Sequence, residues 1–366
     1  MSAAKTVLIT GCSKGGVGDA LAREFHRRGH AVFACARSGA KMAELAALGI
    51  RTLELDVGSP AAIAAALEAV REATPRLDVL INNAGVNYVM PFADSAVDEV
   101  RNVLETNVVS VFAVTQAFLP LLIEAKGVIA NIGSVNQALN PPYQSAYTAS
   151  KAALAAVGNT LRVELAPFSV RVVTVVTGSV RSRLFDNADS RSRLPQGSLY
   201  APLKERIDKR DFLDGITWTS AEEYAKQIAT DLLKPKPKPV LWRATFSTMA
   251  WFVNTFLWQG ALASLRGPTR PPPSSPKKKL MAGRTASTSK EMAWTSFKSR
   301  DRGSASTQDQ SRTPARRRLG EAGHDRELMF DDPQFLALEV IHTWYLTFSL
   351  VEKRLDGWAR RRRNIM

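Results

Sequence analysis

Six short runs, TVLIT, AVFACA, RTLEL, LDVLIN, GVIANI and VRVVTVV, punctuate the chain up to Val176, and most are apolar at consecutive positions rather than alternate ones. A strand apolar on both faces has to be covered on both faces. The stretches between the runs supply the covers: VGDALAREFHRRG, PAAIAAALEAVREA, Val97 to Glu124 and Ala146 to Leu165 all carry a helical period. This alternation predicts an α/β chain built on a doubly wound parallel sheet, with ligands at the carboxyl ends of the strands.

Composition limits what such a sheet can serve. Cys12 and Cys35 are the only cysteines and the four histidines have no ligand spacing, so neither a disulfide framework nor a metal site is expected. The start, MSAAKTVLIT, turns glycine-rich before a signal-peptide core is built, which predicts an intracellular protein. A net charge of +15 raises the question of nucleic acid, but from Arg266 onward the chain holds 21 Lys/Arg against 11 Asp/Glu. The excess is mostly a property of the tail, no nucleic-acid-binding motif accompanies it, and no nucleic-acid partner is expected.

The organisation read from the sequence is a dinucleotide-binding domain over 1–240, with a turn-rich flap at 179–219 and an N-capped helix at Ser220–Leu233 before the stiff KPKPKP connector. Residues 241–265 follow, including the uncharged run Ala244–Leu265. That run suits either a membrane-associated segment or an apolar helix packed on the core or a partner. Residues 266–330 read as a disordered basic linker, and 331–366 as an apolar helix ending in RRRR that could rest on an anionic membrane or be a solvated end. A location in the cytoplasm, or peripheral to an endoplasmic reticulum or lipid-droplet surface, is the matching expectation.

The chemistry-bearing residues fall at strand ends. In LITGCSKGGVGDAL a strand gives way to a helix, so Gly11, Gly16 and Gly18 can let backbone approach a pyrophosphate that the helix N-terminus favours. Arg37 follows the second strand, where a cation favours the 2′-phosphate of NADP(H) over a bare ribose, and Lys14 adds a second charge in the loop. Asp56 follows the third strand and can flank an adenine, while LINNAG brings Asn82, Ala84 and Gly85 to the cleft at the end of the fourth. Asn107 sits inside a helical run for which it has poor propensity. Ser134 follows the fifth strand, and SAYTASKAAL puts Tyr147 and Lys151 one helical turn apart.

This ordered set, a glycine-rich first turn, NNAG, a central-helix Asn, a Ser after strand five and Y-x-x-x-K, resembles the short-chain dehydrogenase/reductase family over residues 5–240. TGCSKGGVG and the run from Pro141 to Ser182 are similar to NADPH-dependent 1-acyldihydroxyacetone-phosphate reductases and to reductases of secondary metabolism. The resemblance implies a Rossmann fold and an NADP(H)-dependent carbonyl reductase acting on a small-molecule ketone or alcohol, with Asn107, Ser134, Tyr147 and Lys151 as its catalytic residues. Tyr147 would be the proton donor, with its pKa lowered by Lys151; Ser134 would bond the carbonyl oxygen, and Asn107 would hold a water relaying protons to Lys151. It also implies cofactor contacts at Asn107, Tyr147, Lys151, Gly178, Val180 and Ser182, and a dimer or tetramer. The sequence departs twice from the family pattern: the glycine motif is one residue longer, leaving Gly15 and Gly16 both eligible for its middle role, and the usual Pro-Gly after strand six is Thr177–Gly178.

Overall fold

A computed structural model describes residues 3–184, 193–209 and 217–256. Its elements, in chain order, are β1 (Thr6–Thr10), α1 (Val17–Arg27), β2 (Ala31–Ala36), α2 (Ala43–Ala47), β3 (Arg51–Glu54), α3 (Pro60–Ala73) and β4 (Val79–Asn82). Next come α4 (Val97–Leu104), a π-helical turn (Glu105–Val109), α5 (Ser110–Ala125), β5 (Val128–Ile132), α6 (Asn136–Leu139), α7 (Ser145–Glu164) and β6 (Arg171–Thr177). The last are α8 (Lys204–Lys209), α9 (Ala221–Leu232), β7 (Val240–Arg243) and α10 (Ser247–Phe256). All strands are parallel in the order β3-β2-β1-β4-β5-β6-β7, the doubly wound sheet that the alternation predicts.

The strands are buried on both faces because their alternate residues feed two separate cores. Val7, Ile9, Val32, Ala34, Val79 and Ile81 pack with Leu21 and Phe25 of α1 and with Tyr224 and Ile228 of α9. Leu8, Phe33, Leu80, Ile129 and Val172 pack on the other side with Ile63 and Val70 of α3 and Val114 and Phe118 of α5. Burying a side chain of this size contributes about 1.5–3 kcal/mol, so neither face of the sheet survives without its helices.

One element lies beyond the sequence expectation, and another is expected only as one of two alternatives. Val240–Arg243, not singled out by the strand pattern, pairs with β6 as a seventh strand, so the sheet runs past residue 240. Of the apolar run Ala244–Leu265, the described part forms α10, whose Met249, Ala250 and Val253 pack against Val135, Leu139 and Val176. Among the described residues, the one stretch long and apolar enough to cross a membrane is Val97–Ala125, and α5 within it supplies one of the two cores. Residues 257–265 and the expected linker and helix at 266–330 and 331–366 lie outside the described residues.

Candidate active site

Strand β1 ends at Thr10 and the chain turns through Gly11 with φ of 75°, a left-handed conformation that glycine adopts without steric cost. A Cβ at Gly11 would stand 2.8 Å from the Ala84 Cα, and one at Gly18 would overlap the Gly11 carbonyl. The two glycines let α1 close against the β1 and β4 ends. Gly15 also has positive φ, at 74°, whereas Gly16 is the extended N-cap of α1, so the added residue of the motif is absorbed by a second left-handed turn. Asn83 fastens this turn to β4: its Nδ2 donates to the Thr10 carbonyl at 2.8 Å and the Gly11 carbonyl at 3.2 Å. The Thr10 hydroxyl in turn accepts from the amides of Asn83 and Ala84.

The polar group lies beyond β4 and β5. Asn107, on the π-helical turn, is buried; its Oδ1 accepts from the Val86 amide at 2.8 Å and its Nδ2 donates to the Val86 carbonyl and to Ser150 Oγ, each at 3.0 Å. A Cβ at Gly85 would stand 3.1 Å from Asn107 Oδ1 and 3.7 Å from Lys151 Nζ, so the glycine keeps these two side chains together. Lys151 is buried on α7, donates from Nζ to the Ile132 carbonyl at 2.8 Å, and holds its ammonium 5.7 Å from the centre of the Tyr147 ring. Ser134, just beyond the end of β5, accepts from the Asn136 amide at 3.2 Å and lies close enough to the Tyr147 hydroxyl to favour its ionised form. The fold thus gathers Asn107, Ser134, Tyr147 and Lys151 at the carboxyl ends of β4 and β5.

Burial sets the electrostatics of this group. It pushes the Tyr147 phenol up to about 12 against the opposing effect of the Ser134 hydrogen bond, and pushes the Lys151 ammonium down to about 8. Lys151, expected to lower the phenol, is not among the groups that shift it here, because Nζ turns to the Ile132 carbonyl rather than to the phenolic oxygen. At neutral pH Tyr147 carries its proton and most Lys151 side chains carry theirs.

The remaining expected residues divide. Arg37, past the end of β2, is exposed, and among the described residues its guanidinium has no partner. Lys14 is exposed too, but pairs with Glu44 at 2.5 Å. The exposed Asp56 accepts from the Gly58 amide at 3.1 Å and shapes its own turn. Asn82 is buried inside the sheet rather than in the cleft, donating to Thr115 Oγ1 at 3.1 Å and Asn131 Oδ1 at 2.9 Å. Gly178 has no room for a side chain, since a Cβ would overlap the Thr245 carbonyl. Val180 packs in the core beside α9, and Ser182 is half-buried.

Sequence reasoning passed over Asn83, Ser150 and Asp19. Asn83 was visible as the second Asn of NNAG; Ser150 and Asp19 had no signal beyond their helical positions. Asp19 is buried, accepts from the Gly15 amide at 2.9 Å, and pairs with Arg23 at 2.9 Å. Among the described residues, four polar side chains have buried atoms without a partner: Asn87, Asn131 through its Nδ2, Gln137 and Thr148, the last next in sequence to Tyr147. The close glycine turn at a helix start fits the diphosphate of a nicotinamide dinucleotide at this end of the sheet.

Comparisons with known proteins agree with this geometry. Residues 5–193 match the family model described as short chain dehydrogenase. A short-chain dehydrogenase/reductase of Pestalotiopsis microspora is 39% identical over 269 residues, covering 72% of this chain and 93% of that protein. The NADPH-dependent 1-acyldihydroxyacetone phosphate reductase of Schizosaccharomyces pombe is 40% identical over 211 residues, covering 57% of this chain and 71% of that one. Among solved structures, a short-chain dehydrogenase from Streptomyces avermitilis superposes with a TM-score of 0.59 at 27% identity, covering 73% of this chain and 94% of that one. With its sheet order, glycine turn and gathered polar group, the chain belongs to the short-chain dehydrogenase/reductase family of NAD(P)-dependent oxidoreductases.

Proposed function

We propose that the protein is an NADP(H)-dependent carbonyl reductase in which Tyr147 donates the proton to the substrate oxygen, and that its substrate is an apolar ketone of the acyl-dihydroxyacetone phosphate or secondary-metabolite kind. The observation that carries the reading is the buried cluster of Ser134, Tyr147 and Lys151, with Asn107 beside it, at the carboxyl ends of the strands. The cofactor, when bound, supplies the hydride; Arg37 would hold its 2′-phosphate. Tyr147 keeps its proton at neutral pH, and the neighbouring Ser134 hydroxyl would bond the same substrate oxygen. As the phenol loses its proton, the Lys151 ammonium 5.7 Å from the ring centre stabilises the phenolate that forms. Asn107 fixes the Val86 backbone and, through Ser150, the start of α7 on which Tyr147 and Lys151 ride.

The substrate class is supported by the apolar cluster to which Ala146, the residue before Tyr147, belongs. Ala146, Tyr88, Met90, Leu194 and Ile207 are buried together, with Tyr143 and Tyr200 packed against them. The relative from Schizosaccharomyces pombe is named for an acylated ketone, which apolar surroundings suit. The test is NADPH oxidation against a panel of ketones that includes an acyl-dihydroxyacetone phosphate. The wild type is expected to turn over, and Tyr147→Phe to lose on the order of a hundredfold or more in kcat while still binding NADPH. Full binding with no turnover by the wild type on any ketone would count against a reductase.

A further inference from the structure

The glycine turn itself carries no unpaired cation. Lys14, the cation within the turn, is paired with Glu44, and Glu44 is shared with Arg23. The Gly15 amide is taken by the buried Asp19 carboxylate, which brings a negative charge to the first turn of α1. A dianionic diphosphate seated there needs a cation from elsewhere.

One is present on a different segment. After β6 the chain runs as a strap, Gly178–Leu184, stitched at successive points to the segments before α9 and after β7. The Ser179 amide donates to the Thr245 carbonyl at 2.9 Å, the Thr219 amide to the Ser179 carbonyl at 3.1 Å, and the Arg181 amide to the Thr219 carbonyl at 3.0 Å. Thr219 and Thr245 are themselves joined hydroxyl to hydroxyl at 3.0 Å. The strap carries Arg183 across to the glycine turn, where its Nε stands 3.4 Å and its Cδ 3.7 Å from the place a Gly15 Cβ would take. Arg183 is exposed, and among the described residues its guanidinium has neither a hydrogen bond nor an ion pair.

We propose that Arg183 is the cation that clamps the cofactor diphosphate against the glycine turn, a positioning residue common to NADP(H) and NAD(H). The proposal rests on the dinucleotide reading of the site but not on the choice between the two cofactors. Gly15 then has a second function besides its left-handed turn, since a side chain there would compete with the guanidinium for the space above the loop. A guanidinium suits the task because its planar fork can bond two phosphate oxygens at once.

Titration of the full chain with NADPH and with NADH, followed by calorimetry or nucleotide fluorescence, separates the possibilities. Arg183→Ala is expected to raise Kd for both nucleotides by about tenfold or more, with Arg183→Lys recovering part of the loss. The gap between wild type and Arg183→Ala should narrow as salt is raised. Arg37→Ala, run beside it, is expected to weaken NADPH alone. Unchanged affinity of Arg183→Ala for both nucleotides, with unaltered thermal melting, overturns the clamp and leaves the family's cofactor in place. A loss confined to NADPH also overturns it, by moving Arg183 to the 2′-phosphate. Failure of the wild type to bind either nucleotide overturns the clamp together with the dinucleotide reading.

Discussion

Lys151 shows how a single residue can be costly to the fold and still be kept. Burial lowers its pKa to about 8, so in the folded chain the charged form is disfavoured relative to the unfolded chain. Between pH 8 and the ordinary lysine range the unfolded chain binds more protons than the folded one, so this residue makes stability rise with pH across that window. Below it the penalty is fully present, on the order of 3 kcal/mol. Replacing Lys151 by Met is therefore expected to raise the melting temperature at pH 7 while abolishing turnover, which calorimetry and a ketone assay on one preparation would check. The same shift predicts that the reduction rate falls as pH rises through about 8, and that Lys151→Arg moves that limb upward if it retains activity. Residue types and their order were legible in the sequence at this scale. The direction of Nζ, toward Ile132 rather than the phenol, was not, because it depends on where β5 ends.

At the scale of elements, two local irregularities position the site. Asn107 sits on a π-helical turn between α4 and α5, where one wider turn directs its amide to both polar groups of Val86. The sequence marked Asn107 as a poor helix former but could not show that the helix widens there, since the partner residues are 21 and 43 positions away. Asn107→Ala leaves the Val86 groups without that side chain, and we expect a loss of about 1–3 kcal/mol in urea unfolding together with a lower kcat. Gly178 is the second case. With proline absent before it, the turn after β6 is set by the packing of this glycine on Thr245, so Gly178→Ala should be among the most damaging single-methyl additions, by about 3 kcal/mol or more. A Gly178→Ala protein that melts like wild type would mean that the 243–246 segment yields freely. Gly158 plays a comparable part on α7, where a Cβ would stand 2.5 Å from Thr174 Oγ1.

Over the whole molecule, alkaline stability depends on several buried acids at once. Burial raises Cys35 to about 12 and Tyr147 to about 12, and also raises Cys12 and Tyr224. Each of these is protonated in the folded chain at a pH where the unfolded chain has released its proton, so each lowers stability as pH rises. Lys151 works in the opposite sense but is one group against four. Urea midpoints should hold or rise slightly from pH 7 toward 8.5 and then fall steeply above about pH 9. A midpoint that climbs through pH 10 would show that the two thiols are not sealed in the sheet core.

The alternation of apolar strands with amphipathic helices, by itself, determined the doubly wound sheet, because strands apolar on both faces have no other way to lose water. The ordered glycine turn, NNAG, Asn107, Ser134 and Tyr147–Lys151 pointed to one family for a similar reason: each type answers a local demand of backbone or chemistry that can be read within a few residues. Tertiary structure alone decided what depends on residues far apart in the chain. It made Val240–Arg243 a strand, since that short run gains its identity only by pairing with β6. It took Asn82 out of the cleft and into the sheet by bonding it to Thr115 and Asn131. And it brought Arg183 over Gly15 through a strap tied to Thr219 and Thr245, a contact whose partners are separated by more of the chain than any periodicity can span.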